Sequence, residues 1–241
     1  MAMCEILAVT AERPLKLGAL LAWASELERL GIAGFGWGAA WAGADGEVHS
    51  HRNPSSLAGD VEGMLALRDV NVVSALVHLR RPSRLSTVQE ADTQPFQDEA
   101  GRFAFVHNGS FERDGELRDR FAGTLRGRAD SEVGFRLYQS LLEDEDPLPA
   151  LVRVHRTLGG TANLCVLLRG GQLALYAAHP HNAVRRFRLD GLSVACTSLH
   201  SDDESVFDLV FPEAGSRELL DDQVITLVPN SPPVTTQPSG N

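Results

Sequence analysis

Cysteine is scarce in this chain. There are three among 241 residues, Cys4, Cys165 and Cys196, and no CxxC pair. That argues against a disulfide framework and against a thiolate zinc site, and it points to a reducing, cytoplasmic compartment. Long apolar runs are also missing. No stretch reaches the ~20 apolar residues that a membrane helix needs, and no basic segment leads into an apolar one near the start, so no secretory leader is expected. Positive charge is in deficit, with 22 Lys+Arg against 32 Asp+Glu and no basic block. Nucleic acid and anionic membrane are therefore poor partners. Internal repeats and linkers are absent, so residues 1–241 read as one domain, with a Pro- and Ser-rich tail over 229–241 expected to be loose.

What is present is ordinary globular material, 43% hydrophobic and 22% charged, enough to bury a large core. "CEILAV" predicts a first strand. "LKLGALLAWASELERLG" carries leucines at helical spacing and stops at Gly31. "GFGWGAAWAG" followed by "DGEV" predicts a hairpin, with Trp37 and Trp41 on one face and in the core. "SSLAGDVEGMLALRD" predicts a helix capped near Asn53 or Ser55, and "VVSALVHL" a buried strand. From Arg80 to Ala100 the chain is polar and aperiodic, which marks a functional loop. "RFAFVHNG" predicts a strand ending in an Asn-Gly turn, and "DSEVGFRLYQSLLE" a helix opening at Asp130. A helix in "LPALVRVHRTL" follows. The strands "ANLCVLLR", "LALYAAH", "VRRFRL", "LSVACTS" and "QVITLVP" complete the chain, the first two joined at Gly170-Gly171. Blocks of strands and helices of this kind predict a layered α+β fold.

Four segments could carry chemistry: Cys4 itself, "HLRRPS" at 78–83, "FVHNGSF" around Asn108 and Gly109, and "ADSE" with Asp130. Singly, each has an ordinary explanation: a small hydrophobe on a strand, solvated strand-end arginines, a hairpin turn and a helix cap. Jointly they are a thiol, a guanidinium, an Asn-Gly donor pair and a carboxylate, the parts needed to bind and cleave a glutamine-like amide. Glu5 alternates to the face opposite Cys4 and is not read as catalytic. His179 and His181 in "HPHN" lack the cluster a metal needs and read as a strand-end loop. Cys165 and Cys196 read as core; "LEDED" at 142–146 and "SDDES" at 201–205 read as solvated loops.

The set "MCEILAV", "VHLRRPS", "TQPF", "VHNGSF" and "ADSEVG", in this order, resembles the class II glutamine amidotransferases, which are N-terminal-nucleophile (Ntn) hydrolases. It is most similar to the stand-alone members, which include γ-glutamyl hydrolases of the ergothioneine pathway. The resemblance implies an α+β, four-layer αββα sandwich of two antiparallel sheets, with no metal or cofactor. It also implies roles. Cys4 matches the nucleophile, whose own amine is the base, so the mature chain is expected to begin at Cys4. Asn108 and Gly109 match the oxyanion hole. Arg80 matches the clamp on the substrate α-carboxylate, and Ser83 stands where the family commonly has a substrate-binding Thr. Asp130 matches the acceptor of the α-ammonium.

The function expected from this resemblance is hydrolysis of the side-chain amide of glutamine or of a small γ-glutamyl conjugate, through a thioester on Cys4. Two alternatives stand beside it. One is a glutaminase subunit supplying ammonia to a partner synthase. The other is an inactive γ-glutamyl-binding module.

Overall fold

The structure is a computed structural model, and it describes residues 4–199, 205–229 and 234–236. In chain order the elements are β1 (Glu5–Lys16), α1 (Leu17–Leu30), β2 (Trp37–Ala42), β3 (Val48–Asn53), α2 (Val61–Leu67), β4 (Asn71–Leu79), β5 (Phe96–Gln97), β6 (Phe103–Ser110), α3 (Asp114–Arg118), α4 (Asp130–Leu141), α5 (Pro147–Leu158), β7 (Thr161–Leu168), β8 (Leu173–Ala178), β9 (Val184–Leu189), β10 (Leu192–Thr197), α6 (Ser205–Val210), β11 (Glu218–Leu220), β12 (Gln223–Leu227) and β13 (Val234–Thr236). The strands form two antiparallel sheets. One runs β11-β9-β10-β1-β4-β2-β3 and the other β13-β12-β8-β7-β6-β5.

Alternation along the strands explains the layers. Ile6 and Ala8 of β1 face the second sheet, where they meet Ala104 and Val106 of β6 and Cys165 of β7 in a shared buried core. Leu7 and Val9 face the other way, onto Leu17, Leu20, Leu21 and Leu27 of α1. Phe103 and Phe105 of β6 likewise turn outward, onto Phe135 and Tyr138 of α4 and Val154 of α5. Strands buried on both faces read in the sequence as near-continuous apolar runs rather than as alternation. Each fully buried leucine of α1 adds ~1.5–3 kcal/mol by leaving water. The result is the expected order of layers: helix, sheet, sheet, helix. Among the described residues no helix is long and apolar enough to cross a membrane.

Several local expectations are corrected. The second helix is shorter than "SSLAGDVEGMLALRD" suggested. It starts after Asp60, whose carboxylate accepts from Gly63 N–H at 3.0 Å, while Asn53 instead closes a turn on Ser55 N–H. Asn108 and Gly109 are not a hairpin turn. They lie inside β6, opposite Asn163 and Ala162 of β7. Asp130 opens α4 but does not cap it with its side chain. Within the segment expected to be loose, Val234–Thr236 pairs with β12 as an edge strand; residues 230–233 and 237–241 of that segment, like 201–204 of "SDDES", lie outside the described residues. Trp37, Cys165 and Cys196 are fully buried, as expected of core residues.

Candidate active site

Three strand ends meet at one edge of the sandwich. Cys4 immediately precedes β1, and Glu5 pairs with Leu79 at the end of β4, which sets Cys4 beside Arg80 and Arg81. The Arg81 N–H donates to Cys4 Sγ at 3.3 Å. On the other sheet, Asn108 of β6 accepts from the Cys4 N–H through Oδ1 at 3.3 Å. In that contact Oδ1 is turned toward the Cys4 nitrogen and Nδ2 away from it. Asn108 Nδ2 is left fully buried and without a partner among the described residues. An unpaired buried donor costs ~1–3 kcal/mol, so a donor held in this state is a place for an acceptor to arrive.

Cys4, Arg80, Ser83, Gly109 and Asp130 all line a single cleft of ≈ 120 Å³. Asn108 lies behind it, in hydrogen-bond contact with Cys4. The structure thus brings together all six residues singled out in the sequence. Glu5 points away: its side chain is buried on the far face against Thr197, whose hydroxyl donates to Glu5 Oε2 at 2.5 Å.

Several of these residues sit on backbones that constrain them. Gly109 has φ +145°, and a Cβ there would fall 1.9 Å from the Thr161 carbonyl oxygen; only glycine fits this close crossing of β6 and β7. Arg80 is buried, its N–H donating to Gly36 O at 2.8 Å. Its two terminal nitrogens donate to a single residue, Thr87, at 2.6 Å to the carbonyl and 2.7 Å to the hydroxyl. A guanidinium has five N–H donors, so this fork leaves the Nε edge for a ligand. Asp130 Oδ2 accepts from the Phe111 N–H at 2.7 Å, which ties the start of α4 to the end of β6. Ser83 is exposed at the cleft wall.

Burial raises the Cys4 thiol to about 11, against partial relief from the Arg81 N–H and the Arg80 charge. At neutral pH such a thiol is protonated and needs a base. His107, next to Asn108, is held below its ordinary value by burial. Its Nδ1 lies 2.9 Å from Ser131 Oγ, its Nε2 3.3 Å from Thr161 O, and its ring stacks on Phe111. It is a neutral imidazole that braces β6 against α4.

Sequence reasoning missed four residues that build the site. Thr87 anchors Arg80. Asp92 accepts from the N–H groups of Arg128 and Ala129 at 2.5 and 2.6 Å, shaping the loop before Asp130. Gln94 bonds both backbone groups of His107. Asn182, in the "HPHN" loop discounted as a metal site, donates its side-chain amide to the Cys4 carbonyl at 3.1 Å. Its backbone carbonyl accepts from Asn163 Nδ2 at 2.7 Å. The "TQPF" and "HPHN" stretches were the available signals, but neither names its partner.

No protein-family model matches this sequence, and no curated protein does. Solved structures do. The glutamine phosphoribosylpyrophosphate (PRPP) amidotransferase from B. subtilis, complexed with ADP and GMP, superposes with a TM-score of 0.74 at 15% identity, over 99% of this chain and 50% of its own. An allosteric regulatory enzyme of purine biosynthesis superposes with a TM-score of 0.77 at 14% identity, over 99% and 50%. The chain thus spans about half the length of these two. A glutamine aminotransferase class-II domain protein from Silicibacter pomeroyi matches nearly end to end, covering 97% of this chain and 99% of its own, with a TM-score of 0.62 at 18% identity. This chain therefore has the αββα, N-terminal-nucleophile hydrolase fold of the class II glutamine amidotransferases.

Proposed function

We propose that this chain is an amidohydrolase that cleaves the side-chain amide of glutamine or of a γ-glutamyl conjugate through a thioester on Cys4. The observation that carries this reading is the buried, unpartnered Asn108 Nδ2 beside Cys4, at the back of the cleft that Arg80 and Asp130 line. An amino acid's carboxylate and ammonium suit Arg80 and Asp130, and its side-chain carbonyl then reaches the thiol.

A peptide nitrogen is not a base. The reading therefore requires the Cys4 nitrogen to be a free amine, released from residues 1–3, with an ordinary pKa near ~8. The steps then balance. The amine takes the thiol proton as Sγ attacks the γ-carbonyl carbon, and the carbonyl oxygen becomes an oxyanion. Asn108 Nδ2–H and Gly109 N–H donate to it. The oxyanion collapses, the C–N bond breaks, and the amine passes the proton to the departing nitrogen. A water molecule gives its proton to the amine and attacks the thioester, and glutamate leaves as the thiol re-forms.

A second reading keeps the same half-reaction but sends the ammonia to a partner synthase. It is supported by the PRPP amidotransferase and the regulatory enzyme of purine biosynthesis, each of which this chain matches over half its length. Intact mass together with a glutamate-release assay tests the first reading. The active species is expected to begin at Cys4, and Cys4→Ala is expected to stay folded while releasing no glutamate. Full activity with residues 1–3 attached, or turnover by a clean Cys4→Ala preparation, overturns it.

A further inference from the structure

The cleft holds more arginines than the glutamyl reading uses. Of its lining residues, four are arginines, Arg80, Arg81, Arg84 and Arg128, in a chain whose net charge is −10. Arg80 is tied to Thr87. Arg81 donates to Ile32 O and lies over the Phe35 ring. Arg84 and Arg128 have no hydrogen-bond, ion-pair or ring partner for their side chains among the described residues. Elsewhere the arginines commonly find carboxylates: Arg29, Arg102, Arg118, Arg136 and Arg153 are each paired.

The backbones under these two free side chains are fixed. The Arg84 carbonyl accepts from the N–H and the hydroxyl of Thr87. The Arg128 N–H donates to Asp92, and its carbonyl accepts from Arg118. Both residues therefore line the cleft from set points, with exposed side chains. Each of the cleft's three carboxylates holds a group of the chain, and none pairs with the Arg84 or Arg128 guanidinium. Asp92 holds the Arg128 and Ala129 N–H groups, Asp114 pairs with Arg118 at 3.1 Å, and Asp130 holds the Phe111 N–H.

We infer that Arg84 and Arg128 form a subsite for a second anionic group of the substrate, carried by the leaving amine. The inference rests on the amidohydrolase reading. In that reading the glutamyl part is constant, with its carboxylate on Arg80 and its ammonium on Asp130. The leaving amine is the part free to vary, and an acid on it brings the charge that the cleft lacks. The ligand class is a γ-glutamyl amide of an amino acid or amino sulfonic acid rather than glutamine itself. Arginine's planar fork suits either acid.

The test uses the full-length protein after its amino terminus has been read by intact mass. Four amides are compared with glutamine by glutamate release: γ-glutamylglycine against γ-glutamylglycinamide, and γ-glutamyltaurine against γ-glutamylethanolamine. The first pair is matched in size and differs in charge; the second is matched in chain length and differs in charge and in the bulk of its end group. The anionic member is expected to have a kcat/KM about tenfold higher or more, with the gap narrowing as salt screens it. Arg84→Ala and Arg128→Ala should lower the ratio within each pair, and Arg84→Lys should retain most of it. Both positions are exposed, so these variants are expected to fold. Equal kcat/KM within both pairs overturns the inference and leaves the amidohydrolase reading standing. Release of glutamate from none of the five compounds overturns that reading and the inference together.

Discussion

Asn182 stands 178 residues from Cys4 along the chain and donates its side-chain amide to the Cys4 carbonyl at 3.1 Å. With Asn108 accepting from the Cys4 N–H, the backbone of Cys4 is held on both sides by asparagines, and the Asn182 backbone is in turn held by Asn163. A thiol fixed this way is presented in one direction, and orientation of that kind carries a large share of a catalytic barrier. If Cys4 is the nucleophile, Asn182→Ala is expected to lower kcat roughly ten- to a hundredfold with little change in KM, because Asn182 holds Cys4 and is not among the residues lining the cleft. Alkylation of Cys4 by iodoacetamide should slow in parallel. A rise in KM with kcat unchanged would show that Asn182 shapes the binding cleft instead.

Much of the fold was legible because the two stacked sheets bury β1, β4, β6 and β7 on both faces, which writes them as apolar runs. The cleft was legible for a different reason. Cys4, Arg80, Asn108, Gly109 and Asp130 each sit in a short local pattern at the end or start of an element. Asn182, Thr87 and Asp92 were not legible, since their roles are contacts made across loops and no local pattern records them. The start of α2 was misplaced because Asn53, Ser55 and Asp60 are all plausible caps, and the choice fell to Asp60 through tertiary contacts with Trp37 and His51. Asn108-Gly109 has the sequence of a turn. The crossing of β6 with β7, which leaves no room for a side chain at Gly109, is a feature of the pairing and not of the dipeptide.

Glu5 gives stability a pH dependence that can be measured. Its carboxyl is fully buried, one oxygen held by Thr197 and the other without a partner among the described residues. Burial raises it from an ordinary value of 4.5 to about 8. Between those values the folded state keeps a proton that the unfolded state has released. Stability therefore falls as pH rises through that window, by up to roughly 1.4 kcal/mol per pH unit, and levels off above it. Glu5→Gln cannot ionise and keeps an acceptor for Thr197. Its melting temperature should gain on the parent protein steadily from pH 5 to pH 8. A constant difference across that range would mean that Glu5 is ionised in the folded protein.

The α-carboxylate clamp proposed for Arg80 should fail in a graded way. Arg80→Lys loses the planar fork and the two bonds to Thr87, whereas Thr87→Val keeps the carbonyl bond to Arg80 and loses the hydroxyl's bonds to Arg80 and to the Arg84 carbonyl. KM should rise for both, by about tenfold for Arg80→Lys and less for Thr87→Val, with smaller changes in kcat. Asp130→Asn should also raise KM. Its carbonyl can still accept from the Phe111 N–H, so the start of α4 should hold and thermal stability should change little. Steady-state kinetics with melting curves check all three. Unchanged KM in Arg80→Lys and Asp130→Asn would assign the amino-acid end of the substrate to other residues.

Asn108 offers the sharpest separation of a chemical role from a structural one. It lies in mid-strand opposite Asn163, so it does not serve the left-handed turn that its sequence suggested. Its Oδ1 accepts from the Cys4 N–H while its Nδ2 has no partner among the described residues. Asn108→Asp keeps the acceptor and the shape but replaces the free donor with a second oxygen of a carboxylate. Asn108→Ala removes both. If Nδ2 donates to the oxyanion, alanine should cost roughly a hundredfold to a thousandfold in kcat, with kcat/KM falling alongside. Aspartate should be worse, because its negative charge would face the developing one across a partly dry site. If Asn108 instead only positions Cys4 through Oδ1, the order reverses, with aspartate mild and alanine severe. Measuring kcat and melting temperature for both variants decides the matter. Near-normal turnover in Asn108→Asp would remove the oxyanion role and, with it, the observation on which the amidohydrolase reading most depends.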